Sequence, residues 1–281
     1  LRNFSSDIGW LLLNTILSSL GLNFIFLNTV AAIIFLFGIH SHAKIYSNYW
    51  LFFLILTPYF IFVVGMGYTR QSISIGLALI AISILLKENT IKTNLTYLSL
   101  ILTGVLFHKS VGILIFLPIF NSKLTYLRVN ITICLLFILS IFVIFFIFDR
   151  GIVNKFSYFF EVSYSSFGAY LRLIFLSSVA FFYLLIISKF KIPNNINKIN
   201  KILCFYILVL FLILFIIPSS VVIDRLSLYF YIIFSSSVLL MYEFSKNQIN
   251  KNLIIYGSII MSFLFLFTWL NFADNAMSWL P

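Results

Sequence analysis

The sequence predicts an all-α polytopic membrane protein with about ten transmembrane crossings plus an N-terminal interfacial helix. Three observations support this: 62% of the 281 residues are hydrophobic, only 9% are charged, and the hydrophobic residues fall into long uncharged runs. Soluble domains carry about 25% charged residues, so a water-soluble fold is excluded. A transmembrane β-barrel is also excluded, because its strands of ~10 residues alternate apolar and polar side chains and these runs do not.

The whole chain, residues 1–281, is predicted to be a single integral membrane domain, since no polar stretch is long enough for a soluble one. It begins at Leu1 and ends at Pro281, just beyond an apolar segment, so we expect a fragment truncated at both ends. The net charge of +11 is attributed to membrane topology, and no nucleic-acid partner is expected. The expected surroundings are a lipid bilayer.

Ten uncharged runs define the predicted crossings. Unpaired backbone groups are costly in lipid, so the runs are expected to be helical. Gly21 interrupts the first run, which indicates an interfacial helix over 8–20 and a crossing over 22–39. The ten runs are 10–39, 45–69, 71–86, 93–107, 110–122, 129–148, 173–188, 202–223, 226–242 and 252–273.

Two of these runs, 93–107 and 110–122, are short and flank His108-Lys109-Ser110. A single span through both would place Lys109 near mid-membrane at a cost of at least ~2.5 kcal/mol, so we predict a hairpin that turns at one membrane face. The hairpin also gathers most basic residues on one side, which the positive-inside rule makes cytoplasmic. These residues are Lys44, Lys87, Lys92, Lys123, Arg128, Lys189, Lys191, Lys198, Lys201, Lys246 and Lys251.

The opposite side collects arginines, which membrane topology does not explain. Arg70, Arg172 and Arg225 border apolar runs, and a guanidinium binds phosphate through two parallel hydrogen bonds. We therefore predict that these three arginines form one anion site. Snorkelling arginines and the local ion pairs Asp149–Arg150 and Asp224–Arg225 are the alternatives. The basic residues predicted on this side are Arg2, Arg70, Lys109, Arg150, Lys155, Arg172 and Arg225.

Three short stretches between helices carry candidate functional groups. In the first, the chain turns at Gly65 and Gly67 and a helix then starts with Arg70-Gln71, so the helix N-terminus and the guanidinium together favour an anion. In the second, His108 lies at an inter-helix junction. In the third, Arg225 and Tyr229 are four residues apart and are expected to share a helical face.

These stretches resemble the motifs of the Wzy-type repeat-unit polymerases, in particular of the EpsG-like family. That family carries Arg-Gln at a helix start, Phe-His-x-Ser in the next hairpin and a late Arg with Tyr-Phe about four residues on. The matching residues are Arg70-Gln71, Phe107-His108-Lys109-Ser110 and Arg225 with Tyr229-Phe230, and an early Asp-x-Gly is matched by Asp7-Ile8-Gly9. The resemblance spans nearly the whole chain, although the family's usual first helix and its tail beyond Pro281 are missing.

The resemblance implies glycosyl transfer from an undecaprenyl-pyrophosphate-linked glycan donor to a lipid-linked acceptor. The reaction would take place at the outer face of the bacterial inner (cytoplasmic) membrane and produce a surface polysaccharide such as O-antigen, capsule or exopolysaccharide. The implied fold is similar to those of the multi-helix glycosyltransferases that use polyprenyl-linked donors. A chain-length regulator is a candidate partner. No cofactor is implied, and the absence of an acid cluster or Asp-x-Asp pair from the sequence predicts that no metal is needed.

The implied reaction needs a proton acceptor for a sugar hydroxyl and positive charge at the departing pyrophosphate. His108 is the first candidate base, because histidine is the side chain most often used for proton transfer. Asp224 is the second candidate base, whereas His40 and His42 fall on the predicted cytoplasmic side. The candidate substrate-binding residues are Arg70, Gln71, Lys109, Arg150, Arg172, Arg225 and Tyr229.

Three other functions are compatible with the sequence. An O-antigen-ligase-like glycan transferase would use the same donor and differ in its acceptor, although the Arg-Gln and Phe-His-x-Ser pattern favours the polymerase. A membrane O-acyltransferase for glycans would also carry a histidine. A lipid-linked glycan transporter commonly has inverted repeats with broken helices at the midplane, and no repeat is evident here. Convergence of the outer arginines and His108 on one outward cavity would favour an enzyme over a transporter.

Overall fold

The computed structural model describes residues 7–88, 90–121, 131, 135, 167–217 and 219–272, and these residues contain helices and no β-strand. Several α-helices continue directly into π or 3₁₀ segments. In chain order the elements are α1 (Ile8–Ser19), α2 (Phe24–Ala43), α3 (Tyr49–Leu56) with a π-helix (Thr57–Met66), α4 (Thr69–Lys87), α5 (Ile91–Phe107), a 3₁₀-helix (Lys109–Phe116), α6 (Leu117–Asn121), α7 (Phe167–Leu185), a 3₁₀ turn (Ile187–Lys189), α8 (Asn194–Ile213), α9 (Ser220–Ser227), a 3₁₀ turn (Leu228–Phe230), α10 (Ile232–Phe244) and α11 (Gln248–Phe272).

Among the residues that the structure describes, seven helices are long and apolar enough to cross a bilayer, which makes the chain a multi-pass membrane protein. The predicted runs 93–107 and 110–122 form a pair of shorter apolar helices, and the predicted run 129–148 lies outside the described residues apart from Ile131 and Leu135. The predicted number of about ten crossings is therefore not confirmed. The seven spans are Phe24–Ala43, Tyr49–Met66, Thr69–Lys87, Gly168–Lys189, Asn194–Ile213, Ser220–Phe244 and Gln248–Asn271.

The contacts divide the chain into two compact units, each with its own bundle of helices. Unit 1 comprises Leu1–His42 and Gly65–Tyr158 and holds α1, α2, α4, α5 and α6. Unit 2 comprises Ala43–Val64 and Phe159–Pro281 and holds α3, most of the π-helix and α7 to α11.

In unit 1 the first predicted break is confirmed at Gly21, which has a φ of +71°. Glycine adopts this left-handed conformation without steric cost, so α1 ends there and α2 starts in a new direction. Further along, α4 and α5 form an antiparallel hairpin. A reciprocal capping box between Thr90 and Thr93 starts α5 directly after the turn.

The predicted hairpin of the runs 93–107 and 110–122 is present, with His108 at its turn. The Tyr97 hydroxyl on α5 donates to the Leu114 carbonyl at 2.8 Å, so the segment after His108 runs back alongside α5. This segment is a 3₁₀-helix up to Phe116, although the apolar run predicts an α-helix. Pro118 explains part of the difference, because it has no N–H to donate to the Leu114 carbonyl in an α-helical pattern. That carbonyl accepts the Leu117 N–H and the Tyr97 hydroxyl instead.

In unit 2 the span Gly168–Lys189 runs parallel to the span Ser220–Phe244. At one end Arg172 contacts Asp224, and at the other end the rings of Phe190 and Phe244 lie 5.2 Å apart. We call the second one the lysine end of unit 2, because it also holds Lys189, Lys191, Lys246 and Lys251. The Glu243 carboxylate accepts the Ser47 backbone N–H at 3.0 Å at this end.

Two predicted helix boundaries in unit 2 are wrong. The runs 202–223 and 226–242 predict a helix break at Asp224-Arg225, but the helices extend over Asn194–Ile213 and Ser220–Phe244. Asp224 and Arg225 therefore lie in the second turn of α9 and not in a connection. A helix can extend past the hydrocarbon into the polar interface, so charged residues mark the membrane boundary and not the end of the helix.

Candidate active site

Three motifs from separate parts of unit 1 meet at one place. The Asp7 carboxylate oxygen Oδ2 lies 3.5 Å from Arg70 Nη1 and 3.7 Å from His108 Nδ1. The Asp7 side chain is 10% exposed and that of His108 is 18% exposed, whereas the Arg70 side chain is 47% exposed. We call these three residues the histidine cluster. It has a sheltered acid–imidazole pair and a guanidinium that reaches the surface.

Asp7 is available to this cluster because it does not cap its own helix. It occupies the N-cap position of α1, where aspartate commonly accepts a backbone N–H, but its side chain makes no capping hydrogen bond. The carboxylate is directed to Arg70 and His108 instead. In the sequence Asp7 is recognised only as a motif match and is not among the predicted site residues.

Gly9 gives the Asp-x-Gly motif a physical basis. A Cβ atom at this position would lie 3.0 Å from the backbone carbon, the carbonyl oxygen and the Cβ of Leu106. The missing side chain therefore lets the first turn of α1 pack against the end of α5, two residues before His108. This close approach holds Asp7 beside the imidazole.

The backbone of His108 is anchored on both sides. Its N–H donates to the Gly104 carbonyl at 2.9 Å and ends α5, while its carbonyl accepts the Ser74 hydroxyl at 3.4 Å. Ser74 lies one helical turn after Arg70 on α4. Within the described part of the chain, Nδ1 of His108 is buried without a hydrogen-bond partner, and the Asp7 carboxylate lies next to it.

The other predicted residues of these two motifs differ in exposure. Gln71 is buried in α4, only 3% exposed, and Lys109 is exposed directly after His108. The hairpin geometry of α4 and α5 puts Arg70 and His108 at one end and Lys87 and Lys92 at the other. Arg70 thus lies at the opposite end of this hairpin from Lys87 and Lys92, as the charge pattern predicts, and Lys109 lies at the same end as Arg70.

Unit 2 contains a second cluster, formed by Arg172, Asp224 and Tyr59, which we call the arginine cluster. Arg172 Nη1 donates to Asp224 Oδ1, and the Arg172 guanidinium carbon lies 5.3 Å from the centre of the Tyr59 ring. Arg172 is 6% exposed. Paired with an acid and stacked on an aromatic face, Arg172 is buried and does not snorkel to the surface as the alternative interpretation assumes.

Tyr59 reaches this position from the π-helix that continues α3. Pro58 has no backbone N–H, and in this segment the Thr57 hydroxyl donates to the Phe53 carbonyl at 2.7 Å and Ser262 of α11 donates to the Ile55 carbonyl. π-Helical segments are rare and frequently occur at functional sites. Tyr59 is not among the residues predicted from the sequence, although Pro58 within an apolar run is a signal of an irregular helix there.

The predicted shared face of Arg225 and Tyr229 does not form. The α-helix gives way to a 3₁₀ turn at Leu228, and Arg225 is exposed while Tyr229 is 1% exposed. The four-residue spacing aligns side chains only in a continuous α-helix. Asp224, which the local ion-pair interpretation pairs with Arg225, is hydrogen-bonded through Oδ1 to Arg172. Arg150 lies outside the described residues.

The clusters can do different chemistry. In the histidine cluster, an imidazole beside a carboxylate can accept a proton, and the exposed Arg70 can stabilise negative charge. In the arginine cluster, Asp224 holds the Arg172 guanidinium, so the carboxylate that was the second candidate base is already paired with a cation.

Arg70 belongs to unit 1, and Arg172 and Arg225 belong to unit 2. A single anion site formed by all three arginines stays a prediction. Among the described residues no group of three His, Cys, Asp or Glu side chains could hold a metal ion.

Comparison with known proteins identifies the family. The model of the EpsG family matches residues 2–281, which is nearly the whole chain. No curated protein and no solved structure matches the chain. The family match covers all four motifs that carry the resemblance, including the Asp-x-Gly and Phe-His-x-Ser residues that meet in the histidine cluster. The chain belongs to the EpsG family.

Proposed function

We propose that this chain polymerises undecaprenyl-pyrophosphate-linked oligosaccharide repeat units into a surface polysaccharide, by glycosyl transfer at the outer face of the bacterial inner membrane. EpsG membership points to a repeat-unit polymerase role in exopolysaccharide synthesis. The observation that carries the proposal is the meeting of Asp7, Arg70 and His108 in one partly exposed cluster.

In the proposed reaction the acceptor sugar hydroxyl attacks the anomeric carbon of the donor glycan. The new glycosidic C–O bond forms as the bond from that carbon to the pyrophosphate breaks, and the lipid pyrophosphate leaves with the electron pair. His108 takes the hydroxyl proton through Nε2, and Asp7 stabilises the imidazolium that results. Arg70 supplies positive charge to the pyrophosphate. We propose Gln71 and Lys109, which adjoin Arg70 and His108 in sequence, as further substrate contacts, together with Arg150, which lies outside the described residues.

For unit 2 we propose that Arg172 and Arg225 join Arg70 in neutralising the pyrophosphate. The close contacts of Arg172 with Asp224 and Tyr59 give it one fixed orientation, which suits an electrostatic role. In this proposal Asp224 orients Arg172 and does not act as a base. Tyr229, which is buried, would support the helix and not contact the glycan.

The positive-inside rule supports the proposed outer-face position of the histidine cluster. Lys87 and Lys92 lie at the opposite end of the α4–α5 hairpin from Arg70 and His108, which supports an outward histidine cluster. With Cys134 and Cys204 replaced, Lys109→Cys should react with a membrane-impermeant thiol reagent added to spheroplasts, and Lys92→Cys should react only after the membrane is opened. The reverse pattern would contradict the outer-face assignment.

The proposed activity is tested with the purified full chain and lipid-linked repeat units, resolved as a glycan ladder. We expect products that grow by whole repeat units and keep undecaprenyl pyrophosphate at the reducing end. Transfer of single glycans to another acceptor without a ladder would indicate a ligase, and the polymerase proposal would then be wrong.

A further inference from the structure

Unit 2 contains a groove of about 390 Å³ at its lysine end, away from the arginine cluster. It lies between the end of the α7 span, the end of α10 and the start of α11. Its lining is mostly apolar, with two polar residues at the end where α10 passes into α11. The lining residues are Phe182, Ile186, Phe190, Met241, Phe244, Ser245, Asn250, Leu253 and Ile254.

The groove walls are exposed in a way that suits a lipid chain. Ile186 is 46% exposed and Leu253 is 64% exposed, and both lie in helices that span the membrane. The rings of Phe190 and Phe244 lie 5.2 Å apart in the same wall. A cavity of this size is within the usual range for small ligands, and its apolar surface favours a hydrocarbon over water.

Lysines follow the lining residues at the same end. Lys189 and Lys191 flank Phe190, Lys246 follows Ser245, and Lys251 follows Asn250. The Lys251 ammonium lies 5.0 Å from the centre of the Tyr242 ring, next to Met241. The nearby acid Glu243 accepts two hydrogen bonds from Ser47, so its charge is partly compensated.

We propose that this groove is a binding site for an anionic phospholipid of the bilayer, with one acyl chain in the groove and the phosphate among the four lysines. The positive charge of the lysines favours an anionic headgroup, since basic clusters between transmembrane helices bind such headgroups. An apolar crevice without lysines would accept any phospholipid.

The test compares binding of phosphatidylglycerol and phosphatidylcholine with identical acyl chains to the detergent-purified full chain, by native mass spectrometry at low salt. We expect one retained phosphatidylglycerol and weaker phosphatidylcholine binding. The double variant Lys189→Gln/Lys246→Gln should weaken phosphatidylglycerol binding roughly 25-fold, from about fivefold for each lysine near the surface. The matched control Lys87→Gln/Lys92→Gln, which removes two lysines from unit 1, should leave it unchanged.

A second pair of variants tests the groove itself. Leu253→Trp fills the groove from an exposed position and should displace the lipid, whereas Leu264→Trp on the same helix, also exposed and outside the lining, should not. Equal retention of both lipids, or equal losses in the test and control variants of either pair, would overturn the proposal.

Discussion

The Nδ1 atom of His108 lies 3.7 Å from the Oδ2 atom of Asp7, and the same oxygen lies 3.5 Å from Arg70 Nη1. One carboxylate thus connects the histidine at the end of α5 with the arginine at the start of α4. An acid in this place can fix the orientation of the imidazole and compensate its charge after proton uptake. The chemistry proposed for His108 therefore depends on Asp7.

Replacement of Asp7 tests this dependence. Asp7→Asn keeps the size of the side chain but removes the charge, so we expect the initial rate of repeat-unit addition to fall roughly 10²-fold. The pH dependence of the rate should change as well, which a purely structural role would not produce. Thr15→Ala, an exposed change on the same helix, is the control. A wild-type rate and pH profile for Asp7→Asn would show that Asp7 has no role in the reaction.

The close packing of Gly9 predicts that the position of Asp7, and not only its charge, matters for activity. Gly9→Ala introduces a Cβ atom 3.0 Å from Leu106, so α1 must shift and carry Asp7 away from His108. Misplacement of catalytic groups by about 1 Å can cost up to ~10²-fold in rate, and we expect roughly a tenfold loss here.

The matched control is Gly257→Ala in α11, where a Cβ atom would meet nothing within 4 Å. We expect an unchanged rate and a gain of about 0.5–1 kcal/mol in the free energy of unfolding, because alanine is the better helix former. Equal activity of the two variants would show that the close contact at Gly9 does not position the site.

The arginine cluster predicts a stability effect that can be separated from function. Asp224→Asn leaves the buried Arg172 without its acid, and breaking such a pair costs about 3–5 kcal/mol of unfolding free energy. The double variant Arg172→Leu/Asp224→Leu removes both charges and should recover most of that stability. Thermal unfolding in detergent measures both. If the double variant is stable and also polymerises at the wild-type rate, Arg172 has no role in the reaction.

Much of the fold can be predicted from the sequence, because lipid forces apolar runs into helices. The break at Gly21 and the turn at His108 are both present. The predicted ends of two helices were wrong, because a helix can continue where its polar residues leave the hydrocarbon. The observed spans are Asn194–Ile213 and Ser220–Phe244.

The site was less accessible to sequence reasoning. Motif matches identified Arg70 and His108, but the pairing of each arginine with an acid depends on contacts between distant helices. Asp224 is adjacent to Arg225 in sequence, yet its carboxylate is bonded to Arg172 of another helix. Tyr59 lies in a π-helical segment, and the backbone pattern that places it depends on Pro58 and on a hydrogen bond from α11.

The initial rate of repeat-unit addition by the purified His108→Ala variant tests the central claim most directly. The matched control is His40→Ala, which removes a histidine of α2 that has no part in the histidine cluster. We expect a loss of about 10²–10⁴-fold for His108→Ala, the usual contribution of a general base, with retained binding of the lipid-linked donor and a wild-type rate for His40→Ala. Rates that are equal to wild type in both variants, at equal protein abundance, would show that the histidine cluster is not the catalytic centre.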